Sequence, residues 1–380
     1  MKKLIILSSL LIVILSCAFL QDVSNEEYTI EQLRAIYSGD ASKWPKPNLD
    51  EEAKKNFKDI GYLGRPEYPA NNQFSADKEK LGKTLFFDPR LSVSGQIACA
   101  SCHDPELGWG DGKRVAYGHD RQTGKRNAMT LINVAFYNKL FWDGRANSLE
   151  HQSGFPITDH IEMNMPLPQM VKNVKSIKGY EELFFKAYGT KEVNLERIQK
   201  AISTFERSII STGSRFDSFV RGNSKALKDD EIQGMHIFRT KARCINCHNS
   251  PLFSDNLFHN DGQTLLGSKM EDLGQYYVTK KLEDIGKFRT PSLRETNITG
   301  PWMHHGNFPS LKDVIEFYNL GNPIAIQRNA VIPDSIFQNS KKSPLLQKLN
   351  LTLTEQQNLE AFLRSISTRV SKINPPVLPK

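Results

Sequence analysis

The chain has 380 residues, a formal net charge of +8 and 39% hydrophobic residues, enough apolar material for two or more packed domains. Its 50 basic residues are scattered along the sequence and form no dense Lys/Arg stripe with interleaved aromatic residues. This pattern excludes nucleic acid as the main partner, although a mildly basic face suits an acidic redox partner.

The first residues predict export. Two lysines precede an apolar run over Leu4–Leu15, which is too short for a stable membrane span and is typical of a secretory signal. A small residue stands directly before Cys17, as at a bacterial lipoprotein processing site. The favoured interpretation is a signal peptide over residues 1–16 and a lipid anchor at Cys17 of a periplasmic protein. Ordinary cleavage near Ala18, with Cys17 discarded, is the alternative.

Residues 17–74 are polar and proline-rich after a short helical stretch near Ile30–Tyr37, which predicts an extended N-terminal segment. Beyond it, apolar residues recur at helical spacing over Leu195–Ile209. Thr354 and Gln357 form a capping-box pattern before a last helix. Alternating strand patterns are scarce. The sequence therefore predicts an all-α fold.

Two copies of Cys-x-x-Cys-His, at residues 99–103 and 244–248, carry the most specific chemistry. Each is the attachment pattern of a c-type haem, in which two thiols bind one porphyrin edge and the following His is an axial iron ligand. The predicted attachment residues and proximal ligands are Cys99, Cys102, His103, Cys244, Cys247 and His248. A four-cysteine zinc site, a redox dithiol and two short-loop disulfides are the alternatives. Zinc does not explain a His after each pair, and a dithiol lacks a βαβ context.

A short segment that begins with glycine precedes each motif, Gly82–Phe86 before the first and Gly234–Phe238 before the second. Each is typical of the N-terminal helix of a cytochrome c domain, where glycine lets two helices cross closely. The repeat predicts two cytochrome c-like haem domains packed together, over residues 75–225 and 226–373. The boundary is expected near Gly222–Asp230, a polar stretch between helices.

The segments around the motifs resemble the bacterial di-haem cytochrome c peroxidase family, which includes the tryptophylquinone-forming enzyme MauG. The resemblance runs from about Phe74 to Ile366, and its local motifs are Leu85–Ser92, Phe141–Arg145, Arg289–Arg294 and Gly300–Gly306. It implies two covalent c-type haems, with hydrogen peroxide as substrate at the N-terminal haem. It also implies a small electron-donor cytochrome or cupredoxin as partner. A homodimer is a candidate assembly, although no residue pattern identifies the oligomeric state.

Three residues acquire roles through the resemblance. Gln152 and Glu162 fall at the family's distal glutamine and glutamate positions, and Trp142 falls at the tryptophan between the two haems. A carboxylate at such a site carries a proton between the two oxygens of peroxide, and an amide orients the substrate. Without the family, Gln152 and Glu162 are ordinary polar residues of a surface loop, and Trp142 is a core aromatic residue.

The sixth ligands of the two irons separate the branches of the family. His119, sixteen residues after His103, falls where the peroxidase branch places a removable ligand of the N-terminal iron; a surface-loop histidine is the alternative. MauG keeps that site open without such a histidine. Tyr318 falls at the second iron's ligand position, where MauG-like enzymes carry Tyr and the peroxidase branch carries Met. Met303 is the alternative ligand. Phenolate favours ferric iron, whereas a thioether raises the potential.

The resemblance further implies a calcium ion between the haems, held by the Asn127 side chain and the carbonyl oxygens of Thr299 and Pro301. The favoured function is that of a cytochrome-c peroxidase, which reduces hydrogen peroxide to water. A MauG-like oxidase that acts on Trp or Tyr of a partner protein is the first alternative. A non-catalytic di-haem electron carrier is the second, and it has no need of the distal pair Gln152 and Glu162.

Overall fold

The structure is a computed structural model, and it describes residues 28–211, 213–368 and 373–380. The predicted signal peptide and the lipid-anchor residue Cys17 lie outside the described residues. In the described ranges, no helix is both long enough and apolar enough to span a bilayer.

Most regular elements in the described part of the chain are helical. The α-helices are α1 (Ile30–Tyr37), α2 (Glu51–Lys54), α3 (Ala76–Phe86), α4 (Leu149–Gln152), α5 (Gly154–Thr158), α6 (Leu167–Ser176), α7 (Lys178–Tyr188), α8 (Leu195–Ser208), α9 (Arg215–Val220), α10 (Asp229–Arg239), α11 (Tyr276–Thr279), α12 (Leu311–Asn319), α13 (Asp334–Asn339) and α14 (Leu353–Ser365). Short 3-10 helices lie at Ala41–Lys43, Ala70–Asn72, Pro89–Leu91, Cys99–Ser101, Pro105–Leu107, His119–Arg121, Val134–Phe136, Cys244–Asn246 and Leu282–Asp284. The predicted mostly helical fold is confirmed.

Within the described ranges, one antiparallel pair of strands, β1 (Phe258–Asn260) and β2 (Lys287–Arg289), departs from the all-α expectation. Each strand has three residues, too few for an alternating apolar pattern to be recognised in the sequence. In the register of the pair, Phe258 lies opposite Arg289.

The crossing of α3 on α8 organises the N-terminal half of the chain. Helix α3 begins after Ser75, whose hydroxyl accepts a hydrogen bond from the backbone N–H of Lys78. Gly82 of α3 lies so close to α8 that a Cβ would overlap the carbonyl oxygen of Ala201. Around this crossing, the buried apolar residues form one core cluster, which includes Leu81, Leu85, Phe86, Ile198, Ile202 and Phe205.

The crossing of α10 on α14 repeats this arrangement in the C-terminal half. A Cβ at Gly234 of α10 would overlap the carbonyl oxygen of Asn358 in α14. A second core cluster surrounds the crossing, and in it the rings of Phe238 and Phe362 lie edge to face, with centroids 5.3 Å apart. The close approach at a glycine, which the sequence predicted for both segments, is therefore present in both halves.

The cap of helix α14 differs from the prediction. The Thr352 hydroxyl accepts from the backbone N–H of Glu355, and the Glu355 carboxylate accepts from the N–H of Thr352. The capping box predicted at Thr354 and Gln357 was wrong by two residues. The sequence carries two overlapping capping-box patterns, and the pattern alone does not choose between them.

Residues 28–74 run along the C-terminal half before they reach α3. Arg239 of α10 donates to the carbonyl oxygen of Pro45 at 2.7 Å. The backbone N–H of Asp50 donates to the side-chain oxygen of Asn246 at 2.8 Å. Asn246 belongs to the second Cys-x-x-Cys-His motif, so this segment binds directly to a haem-attachment loop.

The β1–β2 hairpin contacts the segment around Trp142. The backbone N–H of Arg289, at the end of β2, donates to the carbonyl oxygen of Trp142 at 2.8 Å. Gly144 has a φ of 76°, and a Cβ there would clash with the ring of Phe258. The hairpin therefore ties the C-terminal half of the chain to Trp142.

Candidate active site

Both Cys-x-x-Cys-His motifs fold in the same way. A 3-10 turn covers Cys99–Ser101 in the first motif and Cys244–Asn246 in the second. The N–H of His103 then donates to the carbonyl of the first cysteine at 3.0 Å, and that of His248 does so at 2.8 Å. Each turn brings its two thiols and its imidazole to the wall of one cavity. In the described residues, no disulfide joins the four motif cysteines.

The two imidazoles are oriented for binding a metal. His103 Nδ1 lies 3.1 Å from the carbonyl oxygen of Trp109, and His248 Nδ1 lies 3.2 Å from that of Phe253. Since a carbonyl only accepts, each Nδ1–H donates and each Nε2 keeps a lone pair for a metal. Burial lowers the pKa of both histidines, which keeps them neutral. This arrangement fits a proximal haem ligand in each half.

Each motif borders its own cavity, lined mainly by apolar groups. The N-terminal cavity contains about 1410 Å³ of space and the C-terminal cavity about 1650 Å³, both partly open to solvent. The predicted residues on the wall of the N-terminal cavity are Cys99, Cys102, His103, Asn127, Trp142, Gln152 and Glu162. Those on the wall of the C-terminal cavity are Asn127, Trp142, Cys244, Cys247, His248, Thr299, Pro301, Met303 and Tyr318. The lining and the donor set of both cavities fit a covalent haem.

The distal pair reaches the N-terminal cavity from two neighbouring elements. Gln152 ends helix α4, and Glu162 lies in the loop after α5. The Glu162 side chain is open to the cavity, yet desolvation by the surrounding protein raises the pKa of its carboxyl group. The Asp159 carboxylate raises this pKa further, and the Arg145 guanidinium opposes the shift. A raised pKa suits a group that accepts a proton and returns it near neutral pH.

Trp142 lies between the two cavities and lines both of them. Its indole N–H donates to the carbonyl oxygen of Asn127 at 3.0 Å, which fixes the ring. The ring also lies edge to face with His304, with the centroids 6.4 Å apart. An aromatic side chain therefore separates the two sites at the point where they approach each other.

His119 lies in a loop beside the N-terminal cavity, at the cavity's edge. Its backbone N–H donates to the carbonyl oxygens of Ile161, at 2.7 Å, and Glu162, at 2.9 Å. Its Nε2 lies 3.4 Å from the Asp120 carboxylate, and its Nδ1 is buried with no hydrogen-bond partner among the described residues. Gly118 lines the cavity, whereas the His119 ring does not. Iron ligation by His119 stays a prediction.

Tyr318 lies in helix α12 and lines the C-terminal cavity. Met303 and His248 line the same cavity. Burial raises the pKa of the Tyr318 phenol well above 10, and the nearby Asp261 carboxylate adds to the effect. The phenol is therefore neutral at pH 7 unless a cation replaces its proton. Both candidate ligands reach the right cavity, and the choice between them stays a prediction.

Four cavity residues were missed by the sequence reasoning. Tyr137 and Arg289 line both cavities, His304 lines the C-terminal cavity, and Glu206 of α8 lines the N-terminal one. Both ring nitrogens of His304 are buried and lack a hydrogen-bond partner among the described residues. One carboxylate oxygen of Glu206 lacks a partner as well. Burial raises the pKa of Glu206 to about 8. Arg289 and His304 lie inside the family motifs, which could have marked them as candidate site residues. Glu206 lies in no such motif, and only its position in a helix was predictable.

Comparison with known proteins identifies the family of this chain. The family profile described as "Di-haem cytochrome c peroxidase" matches residues 76–225. The methylamine utilization protein MauG of Methylophilus methylotrophus is 37% identical over 314 residues, which cover 82% of this chain and 89% of that protein. Cytochrome-c peroxidase IdrP1 of Pseudomonas sp. (strain SCT) is 35% identical over 328 residues, with coverages of 79% and 83%. A crystal structure of a MauG-like protein associated with microbial copper homeostasis matches with a TM-score of 0.72 and 31% identity, over 80% of this chain and 93% of that chain.

The chain therefore belongs to the di-haem cytochrome c peroxidase family, which includes MauG. It is an enzyme of the di-haem peroxidase type, and its cofactors are two c-type haems. The zinc and dithiol alternatives for the two cysteine motifs are excluded by this membership.

Proposed function

We propose that this chain reduces hydrogen peroxide to water in the N-terminal cavity. The observation that carries the proposal is that Gln152 and Glu162 line the cavity that also holds the first haem-attachment motif. Each turnover consumes one peroxide, two protons and two electrons, and releases two waters. The haems, when bound, supply the iron that binds peroxide and the capacity to store electrons.

Glu162 is the proton carrier in this proposal. Its carboxylate accepts a proton from the peroxide oxygen nearer to the haem and returns it to the oxygen farther from the haem. The second oxygen then leaves as water. The Gln152 amide donates to the substrate and orients it, and it stabilises the negative charge that develops as the O–O bond breaks. Trp142 conducts electrons between the two sites, since its ring borders both cavities.

His119 is proposed as the gate of the N-terminal site. With haem bound, the His119 imidazole would serve as a removable ligand of the N-terminal iron, and the loop over residues 117–123 would have to change conformation for the ring to reach it. Asp120 and Arg121 both have positive φ angles, of 51° and 60°. Positive φ angles at two adjacent non-glycine residues are uncommon, and such backbone outliers cluster at switch regions, which supports a gating role for this loop.

Tyr318 as the ligand of the C-terminal iron supports a second candidate function. An anionic phenolate stabilises oxidised iron, and such a site stores an oxidising equivalent instead of passing electrons inward. A MauG-like enzyme uses that stored equivalent to oxidise Trp or Tyr of a partner protein. The specific support is the position of Tyr318 on the cavity of the second haem motif, beside Asp261. Ligation by Met303 instead of Tyr318 favours the peroxidase function.

A calcium ion is proposed at the wall between the cavities. Asn127 Nδ2 donates to the carbonyl oxygen of Lys113 at 2.8 Å, which leaves its Oδ1 for a hard cation. Thr299 and Pro301, whose carbonyl oxygens are the other proposed ligands, line the C-terminal cavity with Asn127.

We propose the same two-domain organisation that the sequence predicted, with an extended N-terminal segment followed by residues 75–225 and 226–373 as cytochrome c-like domains. The repeated glycine crossings, the two core clusters and the two separate cavities support it. Each domain carries one motif and one helix pair, so each holds one haem.

The protein is proposed to act in the periplasm, held at a membrane by a lipid on Cys17. Attachment of c-type haem outside the cytoplasm supports this location. The proposed electron donor is a small cytochrome or cupredoxin, and a homodimer is the candidate assembly, which size-exclusion chromatography with light scattering tests. Mass spectrometry of the mature N-terminus distinguishes a lipidated Cys17 from cleavage near Ala18.

The decisive experiment is steady-state turnover of peroxide with a reduced small cytochrome. Glu162→Gln keeps the size and hydrogen bonding of the side chain but removes its proton-carrying capacity. We expect both haems to stay attached and turnover to fall by about two to four orders of magnitude, the scale for a positioned acid–base group. Stopped-flow spectra of both haems show which step is lost.

Glu106→Gln is the matched control, because Glu106 is an exposed glutamate close to the first motif in sequence. Its turnover should equal that of the unmodified protein. Turnover of a fully haem-loaded Glu162→Gln protein at the control level contradicts the proposed role of Glu162. Absence of peroxide turnover in the unmodified protein, combined with oxidation of a partner protein, favours the MauG-like function.

A further inference from the structure

Arg289 is a buried cation without an anionic partner in the described chain. Only 3% of the residue is exposed. Its side-chain contacts are long ones, to the carbonyls of Phe141 and Thr290, each at 3.4 Å, and to the sulfur of Met129 at 3.5 Å. A guanidinium has five donors, so most of its hydrogen-bonding capacity is unused.

The other buried arginines behave differently. Arg207, Arg239 and Arg294 each form an ion pair with a carboxylate, on Glu150, Asp59 and Asp217 respectively. Removal of a charged group from water is strongly unfavourable unless a counter-charge compensates for it. By this rule, Arg289 requires an anion that is not a side chain of the described residues.

The position of Arg289 identifies where that anion comes from. Arg289 lines the N-terminal cavity and also the C-terminal cavity. Its backbone N–H binds the carbonyl of Trp142 at 2.8 Å, and its guanidinium lies 3.5 Å above the ring of Tyr137. Both neighbours also line both cavities, so the guanidinium is held at the junction of the two sites.

We propose that Arg289 is an anion-binding residue shared by the two haems, whose guanidinium binds propionate carboxylates at the junction of the cavities. Each haem has two propionates, and a planar guanidinium matches carboxylates with paired hydrogen bonds. A cation held there disfavours the additional positive charge of ferric iron, so it raises the reduction potential of both haems. Arg289 is therefore a positioning residue that sets the two potentials together.

The test is a redox titration of the haem-loaded protein without peroxide, followed by visible and electron paramagnetic resonance spectra. In Arg289→Gln, both midpoint potentials should shift to more negative values. Arg145 lines only the N-terminal cavity and Arg243 only the C-terminal one, and each pairs with an aspartate. Arg145→Gln and Arg243→Gln are thus the controls, and each should shift at most the haem of its own cavity.

Arg289→Lys provides a milder second variant, which keeps the charge but lacks the planar fork. Resonance Raman spectra of this protein should show altered propionate-bending bands for both haems, while both potentials stay closer to those of the unmodified protein than in Arg289→Gln. A shift of one potential only, or of neither, in Arg289→Gln overturns the proposal. Unchanged propionate bands of either haem in Arg289→Lys overturn it as well, even where the Gln variant fails to retain its haems. These readouts involve no turnover, so they are independent of the proposed peroxidase activity.

Discussion

The backbone N–H of His119 donates a hydrogen bond to the carbonyl oxygen of Glu162, 2.9 Å away. The candidate gate and the candidate proton carrier are thus joined through main-chain atoms. Gly118 makes this contact close, because a Cβ there would overlap the carbonyl oxygen of Ile161. Movement of the His119 loop is therefore expected to shift the backbone of Glu162. Access to the N-terminal iron and the position of the Glu162 carboxyl group are thereby coupled.

This relationship makes the His119→Gly variant informative. The hydrogen bond uses the backbone of His119, so loss of the ring removes the iron ligand but keeps the link to Glu162. In the oxidised resting protein we expect two low-spin haems, and in the variant the N-terminal haem should become high-spin. Electron paramagnetic resonance measures this change. His160→Gly, at an exposed histidine on the neighbouring turn, should leave both haems unchanged. A high-spin N-terminal haem already present in the unmodified protein contradicts the gate.

The pH dependence of turnover should report the environment of Glu162. Glu162 acts as a carboxylate, so turnover is lost as the pH falls through its pKa. Since desolvation by the surrounding protein and the Asp159 carboxylate raise this pKa above the ordinary 4.5, the acid limb should lie above pH 4.5. Asp159→Asn removes one raising charge, so it should move the limb to lower pH, as measured from kcat/KM between pH 4 and 8. Glu106→Gln should not move it, and an unmoved limb in Asp159→Asn assigns the limb to another group.

The ligand of the C-terminal iron determines its potential. If Tyr318 ligates, Tyr318→Met should raise the midpoint potential of that haem, because a thioether does not stabilise ferric iron as a phenolate does. Tyr318→Phe should alter its spectrum, whereas Met303→Leu should not. A redox titration followed by visible spectra measures all three variants. A native spectrum in Tyr318→Phe together with an altered one in Met303→Leu identifies Met303 as the ligand and favours the donor-driven peroxidases.

The two glycine crossings should be sensitive to a single methyl group. Gly82→Ala and Gly234→Ala each force a Cβ into a carbonyl oxygen of the facing helix. Backbone shifts of this kind cost about 1–3 kcal/mol or more. Thermal unfolding should show a lower midpoint for both variants, and the spectral loss should begin at the N-terminal haem in Gly82→Ala and at the C-terminal haem in Gly234→Ala. Gly64→Ala is the control, since nothing lies within 4 Å of a Cβ there. Simultaneous loss of both haem signals in each variant contradicts two separately packed domains.

Glu150 should make stability depend on acid. Its carboxylate accepts from Arg207 at 2.6 and 2.9 Å and from Asn72 at 2.8 Å. Burial alone raises the pKa of Glu150, but these hydrogen bonds outweigh it and lower the pKa to about 2. A folded-state pKa below the unfolded value of 4.5 means that the stabilisation is present above pH 4.5 and is lost as the pH falls towards 2.

Glu150→Gln should accordingly destabilise the protein by about 1–3 kcal/mol at pH 7, the usual contribution of hydrogen bonds to a charged group. The difference from the unmodified protein should shrink when denaturation is measured at pH 4 and again at pH 3. Glu196→Gln is the control, because the exposed Glu196 pairs with Lys200 on the same helix, and such pairs contribute little. A pH-independent difference rules out the ionised carboxylate as its cause.

Local chemistry explains why much of this protein was readable from its sequence. The Cys-x-x-Cys-His spacing, the glycine before each motif and the helical repeat over Leu195–Ile209 act over one or a few turns of chain. All the residues that bind one porphyrin edge, or that form one face of a helix, lie within such a stretch, so their spacing can be recognised in the sequence. The mostly helical structure and the turn that each motif forms therefore followed from the residues, whereas the roles of Gln152 and Glu162 as a distal pair rest on the family resemblance.

Tertiary structure alone decided which remote side chains share a cavity. Arg289 and Tyr137 meet at the junction because the β1–β2 hairpin binds the carbonyl of Trp142, and three-residue strands leave no periodic signal. His304 and Glu206 are polar residues that any sequence pattern assigns equally well to surface or core. Their burial beside the cavities depends on the path of segments far apart in sequence, and the free energy of burying a charge depends on its neighbours in space, which adjacent residues do not specify.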